Sequence, residues 1–184
     1  MKRIEYFKII HKYIRPDSLT YSLYIPHVSL VTVKSIRIAE MLCLSNDKLR
    51  FIEEAAMLHD IGIIKVNDEE LGCNGKLNYL CHGTEGRKIL EAEKLMKHAE
   101  VAENHTGVGI FKDEIENNKL PLPKKDIVAV TLEEEIISYA DLFFSKNPQK
   151  IWHERSIEEA RASIEKFGKR HIKRFKEWVE RFER

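Results

Sequence analysis

Apolar residues recur three and four positions apart along almost the whole chain, and no stretch alternates apolar and polar residues as a half-buried strand would. A chain patterned this way buries its apolar stripes by packing helix on helix, so the expected fold class is all-α. Ile4, Phe7, Ile10 and Ile14 mark a first short helix that stops before Pro16. A second is expected over residues 27–44, with Val28, Val31, Ile38, Met41 and Leu42 on one stripe. A third, over about residues 47–61, carries Leu49, Ile52, Ala56 and Met57 and ends at Gly62. Residues 66–80 hold Gly72, Asn74 and Gly75 and read as a loop. Helix four then runs from near Thr84 to about Leu95, and residues 97–105 form helix five, closing at Gly107. Residues 106–126 are read as a long irregular segment, of the kind that often serves as a lid. Thr131 with Glu134 three residues on is a capping box, opening a helix through Asp141 to Phe144. Ser156 with Glu159 repeats that signature ahead of a last amphipathic helix carrying Ile157, Ala160, Ile164 and Phe167.

A chain of 184 residues is long enough to bury a core unaided, and it is read as a single domain, residues 1–184. Basic and acidic side chains number 31 and 30, so bulk charge gives no support to nucleic-acid binding. Lys169, Arg170, Lys173, Arg174 and Lys176 near the C-terminus are interleaved with glutamates and read as a solvated helix face. Cys43, Cys73 and Cys81 are too few and odd in number for a disulfide framework, and are expected as thiols in a reducing compartment. The charged N-terminus does not resemble a signal peptide, and no apolar run reaches the roughly 20 residues needed to cross a bilayer. A cytoplasmic protein without membrane contact is the expectation.

Leu58-His59-Asp60-Ile61-Gly62 is where chemistry first shows. On a helix, Asp60 has Ala56 and Met57 one turn behind it, and His59 has Ala55 and Ala56. A carboxylate on or near an apolar face is costly unless it is paired or coordinates a cation. Asp141 repeats the conflict, with Ile137 four residues before and Phe144 three after. His105 follows Val101 and Ala102 at the same offsets, and His27 precedes Leu30 and Val31. His171 also touches an apolar stripe, through Phe167 and Phe175, and is assigned no function. Imidazole nitrogens together with hard carboxylate oxygens suit Fe, Mn, Zn and similar ions.

The order His27, His59-Asp60, His82, His105, Asp141, with the pair extended as His59-Asp60-Ile61-Gly62, resembles the HD superfamily in its HDIG form. The resemblance runs from about residue 24 to 145, leaving 146–184 as a C-terminal helical extension. It implies a metal-dependent phosphohydrolase. His27, His59, Asp60 and Asp141 would bind a first divalent ion, and His82 and His105 a second, with Asp60 bridging the two. His59 and Asp60 would thereby be central to catalysis, through a hydroxide shared by two ions drawn from Fe, Mn, Zn, Co and Ni. The implied partner is a small phosphate ester, nucleotide-like, and neither a nucleic acid nor a membrane. A mixed-valent diiron oxygenase uses the same ligand set on the same scaffold and is the alternative, along with a non-catalytic metal-binding module. Many relatives carry a basic residue directly after the HDIG glycine, where this chain has Ile63. Lys65, Arg87 and Lys88 are the candidates to contact a substrate phosphate instead. The Gly-Tyr-Pro signature of cyclic-di-GMP phosphodiesterases is absent after His105, where Thr106-Gly107-Val108-Gly109 stands.

Overall fold

A computed structural model describes residues 3–183, and most of them are helical, in agreement with the all-α expectation. In chain order the helices are α1 (Tyr6–Tyr13), α2 (Leu19–Met41), α3 (Asn46–Leu58), α4 (His82–Ala92), α5 (Met96–Asn104), α6 (Lys112–Asn117), α7 (Leu132–Asp141), α8 (Ile157–Glu165) and α9 (Lys169–Phe182).

α2 is the central element. Its N-cap is Ser18, whose hydroxyl accepts from the Tyr21 amide, so the helix starts eight residues before the expected position at residue 27. Pro26 lies inside it, and a proline within a helical pattern is normally read as a boundary. That is why the sequence signal came late. Leu23, Tyr24 and Val28 belong to an apolar cluster shared with α1, α4, α5 and the end of α3. Val31, Ile38 and Ala39, further along α2, belong to a second cluster shared with α3, α5 and α7. α8 and α9 complete the second cluster with Ala160, Ile164, Phe175, Trp178 and Phe182, all buried. The single amphipathic helix expected there is two helices, because Gly168 turns the chain between them at φ +99°.

The 66–80 segment is not wholly irregular. Asn67–Asp68 (β1) and Cys73–Asn74 (β2) pair antiparallel, and a 3₁₀ turn over Tyr79–Cys81 leads directly into α4. α4 therefore begins at His82 itself, two residues earlier than expected. The 106–126 segment likewise contains the short helix α6. α7 starts as the capping signature predicts, with Thr131 Oγ1 accepting from the Glu134 amide, but ends at Asp141 instead of reaching Phe144.

α3 and α5 pack around His98, which is 7% exposed and meets the Phe51 ring edge-on with centroids 4.9 Å apart. Its Nε2 has no hydrogen-bond partner and lies 3.5 Å from Glu54, too far to offset desolvation. Burial lowers the His98 pKa to about 4. As pH falls below the ordinary histidine value, the unfolded chain takes up a proton that the folded chain refuses until about pH 4, so stability declines across that window. The loss is on the order of 2–3 kcal/mol. His98→Leu is expected to flatten this decline, read as a smaller difference between urea midpoints at pH 7 and pH 4.5. An unchanged pH dependence would show that His98 is not its source.

Candidate metal centre

His59 and Asp60 are adjacent in sequence, and side chains at successive helix positions point about 100° apart. They converge because the α-helix stops between them. His59 is the last residue with helical dihedrals, whereas Asp60 takes φ −99°, ψ 7° and opens a 3₁₀ turn over Ile61–Lys65. Both side chains are fully buried. His27 comes from the middle of α2, His82 from the first residue of α4, His105 from the C-cap of α5 and Asp141 from the last residue of α7. All six residues named from the sequence meet in one place.

The carboxylate of Asp60 divides the histidines into two sets. Its Oδ2 lies 3.1 Å from His27 Nε2 and 3.4 Å from His59 Nε2. Its Oδ1 lies 3.5 Å from His82 Nε2 and 3.4 Å from His105 Nε2. Asp141 joins the first set, with Oδ1 3.0 Å from His27 Nε2 and 3.6 Å from His59 Nε2. The donors of His27, His59 and Asp141 lie within 4.8 Å of one another, as do those of His59, Asp60 and His105.

Three of the imidazoles are oriented the same way. His59 Nδ1 donates to Ala56 O at 2.6 Å, His82 Nδ1 to Tyr79 O at 2.7 Å, and His105 Nδ1 to Ala102 O at 2.8 Å. A carbonyl only accepts, so each Nδ1 carries a proton and each Nε2 is turned toward the centre. His82 Nε2 and His105 Nε2 stand 3.1 Å apart. Within the cluster, His27 Nε2, His59 Nε2, Asp60 Oδ1 and Asp141 Oδ1 are buried without a hydrogen-bond partner. Buried polar atoms normally find partners, and an orphaned set aimed at one point is what a cation would satisfy.

The electrostatics agree. Burial opposes the charged form of His59, but Asp60 and Asp141 outweigh it and hold the pKa up to about 10. His82, with burial dominant, is lowered to about 4. Burial works against ionisation of Asp60 and Asp141, yet both are held well below the usual carboxylate range, by Lys146 foremost and then by the histidines. The centre therefore draws positive charge to itself.

Lys146 was not anticipated. Its Nζ lies 2.7 Å from Asp60 Oδ2, with the side chain only 12% exposed. It follows α7 by five residues, in an unstructured stretch where a lysine ordinarily points to solvent, so no local signal marks it. The expected phosphate contacts are placed differently. Arg87 is engaged by Glu91 and by buried Glu103, Lys88 by Glu85, and Lys65 is exposed at the end of the 3₁₀ turn. Lys125 also pairs with Glu103, so that carboxylate holds two cations. Asn104, just before His105, donates to Glu134 at 2.9 Å and ties the end of α5 to α7.

The sequence model of the HD domain matches residues 27–144, a span that opens on His27 and closes three residues after Asp141. The chain belongs to the HD domain family. HD domains bind divalent metals, and this one carries His/Asp groups able to hold a metal. Its fold is that of the HD domain of the L. monocytogenes phosphodiesterase PgpH, at TM-score 0.53 and 15% identity, covering 95% of each chain. The same PgpH domain in complex with cyclic-di-AMP aligns at TM-score 0.52, covering 96% of this chain and 93% of the other. Among relatives by sequence, a tRNA (cytidine(56)-2'-O)-methyltransferase of Picrophilus torridus is 35% identical over 120 residues, covering 65% of this chain and 30% of the relative. An uncharacterized protein of Methanocaldococcus jannaschii is 36% identical over 97 residues, covering 50% of this chain and 48% of the relative. A tRNA (cytidine(56)-2'-O)-methyltransferase of Thermoplasma volcanium is 30% identical over 138 residues, covering 74% and 35%. The chain spans less than half the length of each of these three relatives. Among its described residues, no helix is long and apolar enough to cross a membrane.

Proposed function

We propose that this HD domain is a metal-dependent phosphohydrolase acting on a phosphomonoester or phosphodiester of a nucleotide or similar small metabolite. The observation that carries the reading is the division of Asp60, with one carboxylate oxygen toward His27 and His59 and the other toward His82 and His105. In this assignment His27, His59, Asp60 and Asp141 hold one divalent ion, and His82, His105 and Asp60 hold a second. Bound cations lower the pKa of water and neutralise charge on a phosphoryl group.

The protein's own groups supply the remainder. The carbonyls of Ala56, Tyr79 and Ala102 accept from Nδ1 of three imidazoles and turn each Nε2 toward the centre. The low exposure of His27, His59, Asp60, His82 and His105 keeps bulk water from the inner face. Asp141, at 15% side-chain exposure, is the most open of the six and marks the side by which a substrate would enter.

A cavity of about 550 Å³ lies beneath the 106–126 segment, walled in part by Leu80, Thr106, Val108, Leu120, Phe167 and His171. None of the six residues lines it; its nearest links to the centre are Leu80 and Thr106, two residues and one residue from His82 and His105 in sequence. Its size and mainly apolar lining suit a small organic molecule more than a polymer. A larger and more open cleft of about 680 Å³ between α1, α2 and α3 is likewise lined by none of the six residues, and no substrate is assigned to it.

The test is elemental analysis of the purified protein, followed by assay of the metal-restored protein on a panel of phosphomonoesters and phosphodiesters. Two ions per chain and turnover of at least one ester are expected. A fully loaded protein that hydrolyses none of them would overturn the proposal. Oxygen uptake with a candidate substrate would move it to the oxygenase alternative.

A further inference from the structure

We propose that Lys146 is the group that receives the phosphoryl anion of the substrate at the mouth of the centre. This rests on the phosphohydrolase reading. Lys146 follows α7, the helix that ends in Asp141, and the two side chains are 12% and 15% exposed. The other five residues of the centre are 0–3% exposed. An anion approaching from solvent therefore meets Asp141 and Lys146 first. Asp141 repels it and Lys146 attracts it.

The other basic candidates are placed less favourably. The position after the HDIG glycine is Ile63, buried at 2% and unable to hold an anion. Arg87 and Lys88 are neutralised by Glu91, Glu103 and Glu85, and Lys65 faces solvent. Lys146 is paired with Asp60, whose carboxylate is also the one shared between the two sets of histidines. A divalent ion held beside Asp60 would take over the neutralisation of that carboxylate. The Lys146 ammonium, largely desolvated over the Tyr79 ring at 5.9 Å, would then lose the carboxylate it pairs with. A buried ammonium in that state is costly, and a phosphoryl oxygen meets the demand, with Nζ donating. Lys146 thus exchanges an internal carboxylate for a substrate anion.

The alternative is that Lys146 only neutralises Asp60 in the metal-free chain. Lys146→Met and Lys146→Arg distinguish the two. Metal content is measured first by elemental analysis, and inorganic phosphate binding to the metal-restored proteins is then measured by calorimetry. Lys146→Met is expected to keep the same number of ions per chain while phosphate affinity falls on the order of tenfold to a hundredfold, as for a lost charge-assisted hydrogen bond. Lys146→Arg should recover part of that loss. With an ester identified by the panel, KM should rise more than kcat falls. Phosphate affinity within twofold of the parent in Lys146→Met, at unchanged metal content, would overturn the proposal. Loss of metal in Lys146→Met would overturn it too, by showing a role in assembling the centre. The phosphate titration needs no turnover, so a panel without a substrate defeats the hydrolase reading and leaves this measurement standing.

Discussion

An Asp60→Ala protein is expected to come through purification without bound divalent metal and without measurable phosphoester turnover. Asp60 is the one side chain whose two oxygens face both sets of imidazoles, at 3.1–3.5 Å, so its removal deprives both cation positions together. His105→Ala removes a donor from one set only. It should retain the ion beside His27, His59 and Asp141 and lose the other. Elemental analysis reads the contrast directly: about two ions per chain in the parent, one in His105→Ala and none in Asp60→Ala. Two ions retained in His105→Ala would refute the assignment of the second position. In the metal-free chain Asp60→Ala also strands the Lys146 ammonium in a buried site, a change that costs about 3–5 kcal/mol when one partner of a buried pair is lost. Urea unfolding of the chelated proteins measures that difference.

Gly62→Ala should be nearly as damaging for a different reason. The 3₁₀ turn after Asp60 and the first turn of α4 lie backbone to backbone. A Cβ on Gly62 would stand 2.0 Å from His82 O and 2.3 Å from Gly86 N. No rotamer change relieves a clash between main chains, so the turn and α4 must separate. We expect a loss on the order of 3–5 kcal/mol. Because His82 is the first residue of α4, the same displacement should carry its Nε2 away from Asp60 and empty the second cation position. Gly107→Ala is the control. Nothing lies within 4 Å of a Cβ there, and only its φ of +59° disfavours a side chain, at about 1–2 kcal/mol. Near-equal urea midpoints for the two variants would mean that the turn yields more easily than the packing implies.

Gly62 also explains why the HDIG pattern has the form it does in this chain. His59 and Asp60 supply donors, Ile61 is fully buried in the core, and Gly62 admits the helix that brings His82. The motif was legible in the sequence as two metal ligands followed by a helix stop. Its glycine was read as a C-terminal signal, whereas the structure uses it for close approach.

Elsewhere the sequence is informative where the signal is local. The Thr131 cap, the helical stripes of α3 and α7 and the Gly107 turn follow from spacing and residue type. It misled where a tertiary contact overrode a local rule. Pro26 sits inside α2, which is packed by Tyr24 through a hydrogen bond to Met57 O and by His27 at the centre. Arg87 and Lys88 look like free cations in sequence, but carboxylates far along the chain or one turn away already hold them.

The sequence alone settled that the chain is helical, because helical period is a property of neighbouring positions, and its resemblance to the HD superfamily named six donors. Only the folded chain decided that Asp60 turns one oxygen to each pair of histidines, that three carbonyls orient the imidazoles, and that a lysine beyond α7 enters the centre. Those facts depend on distances between distant segments, and a buried lysine is written with the same letter as an exposed one.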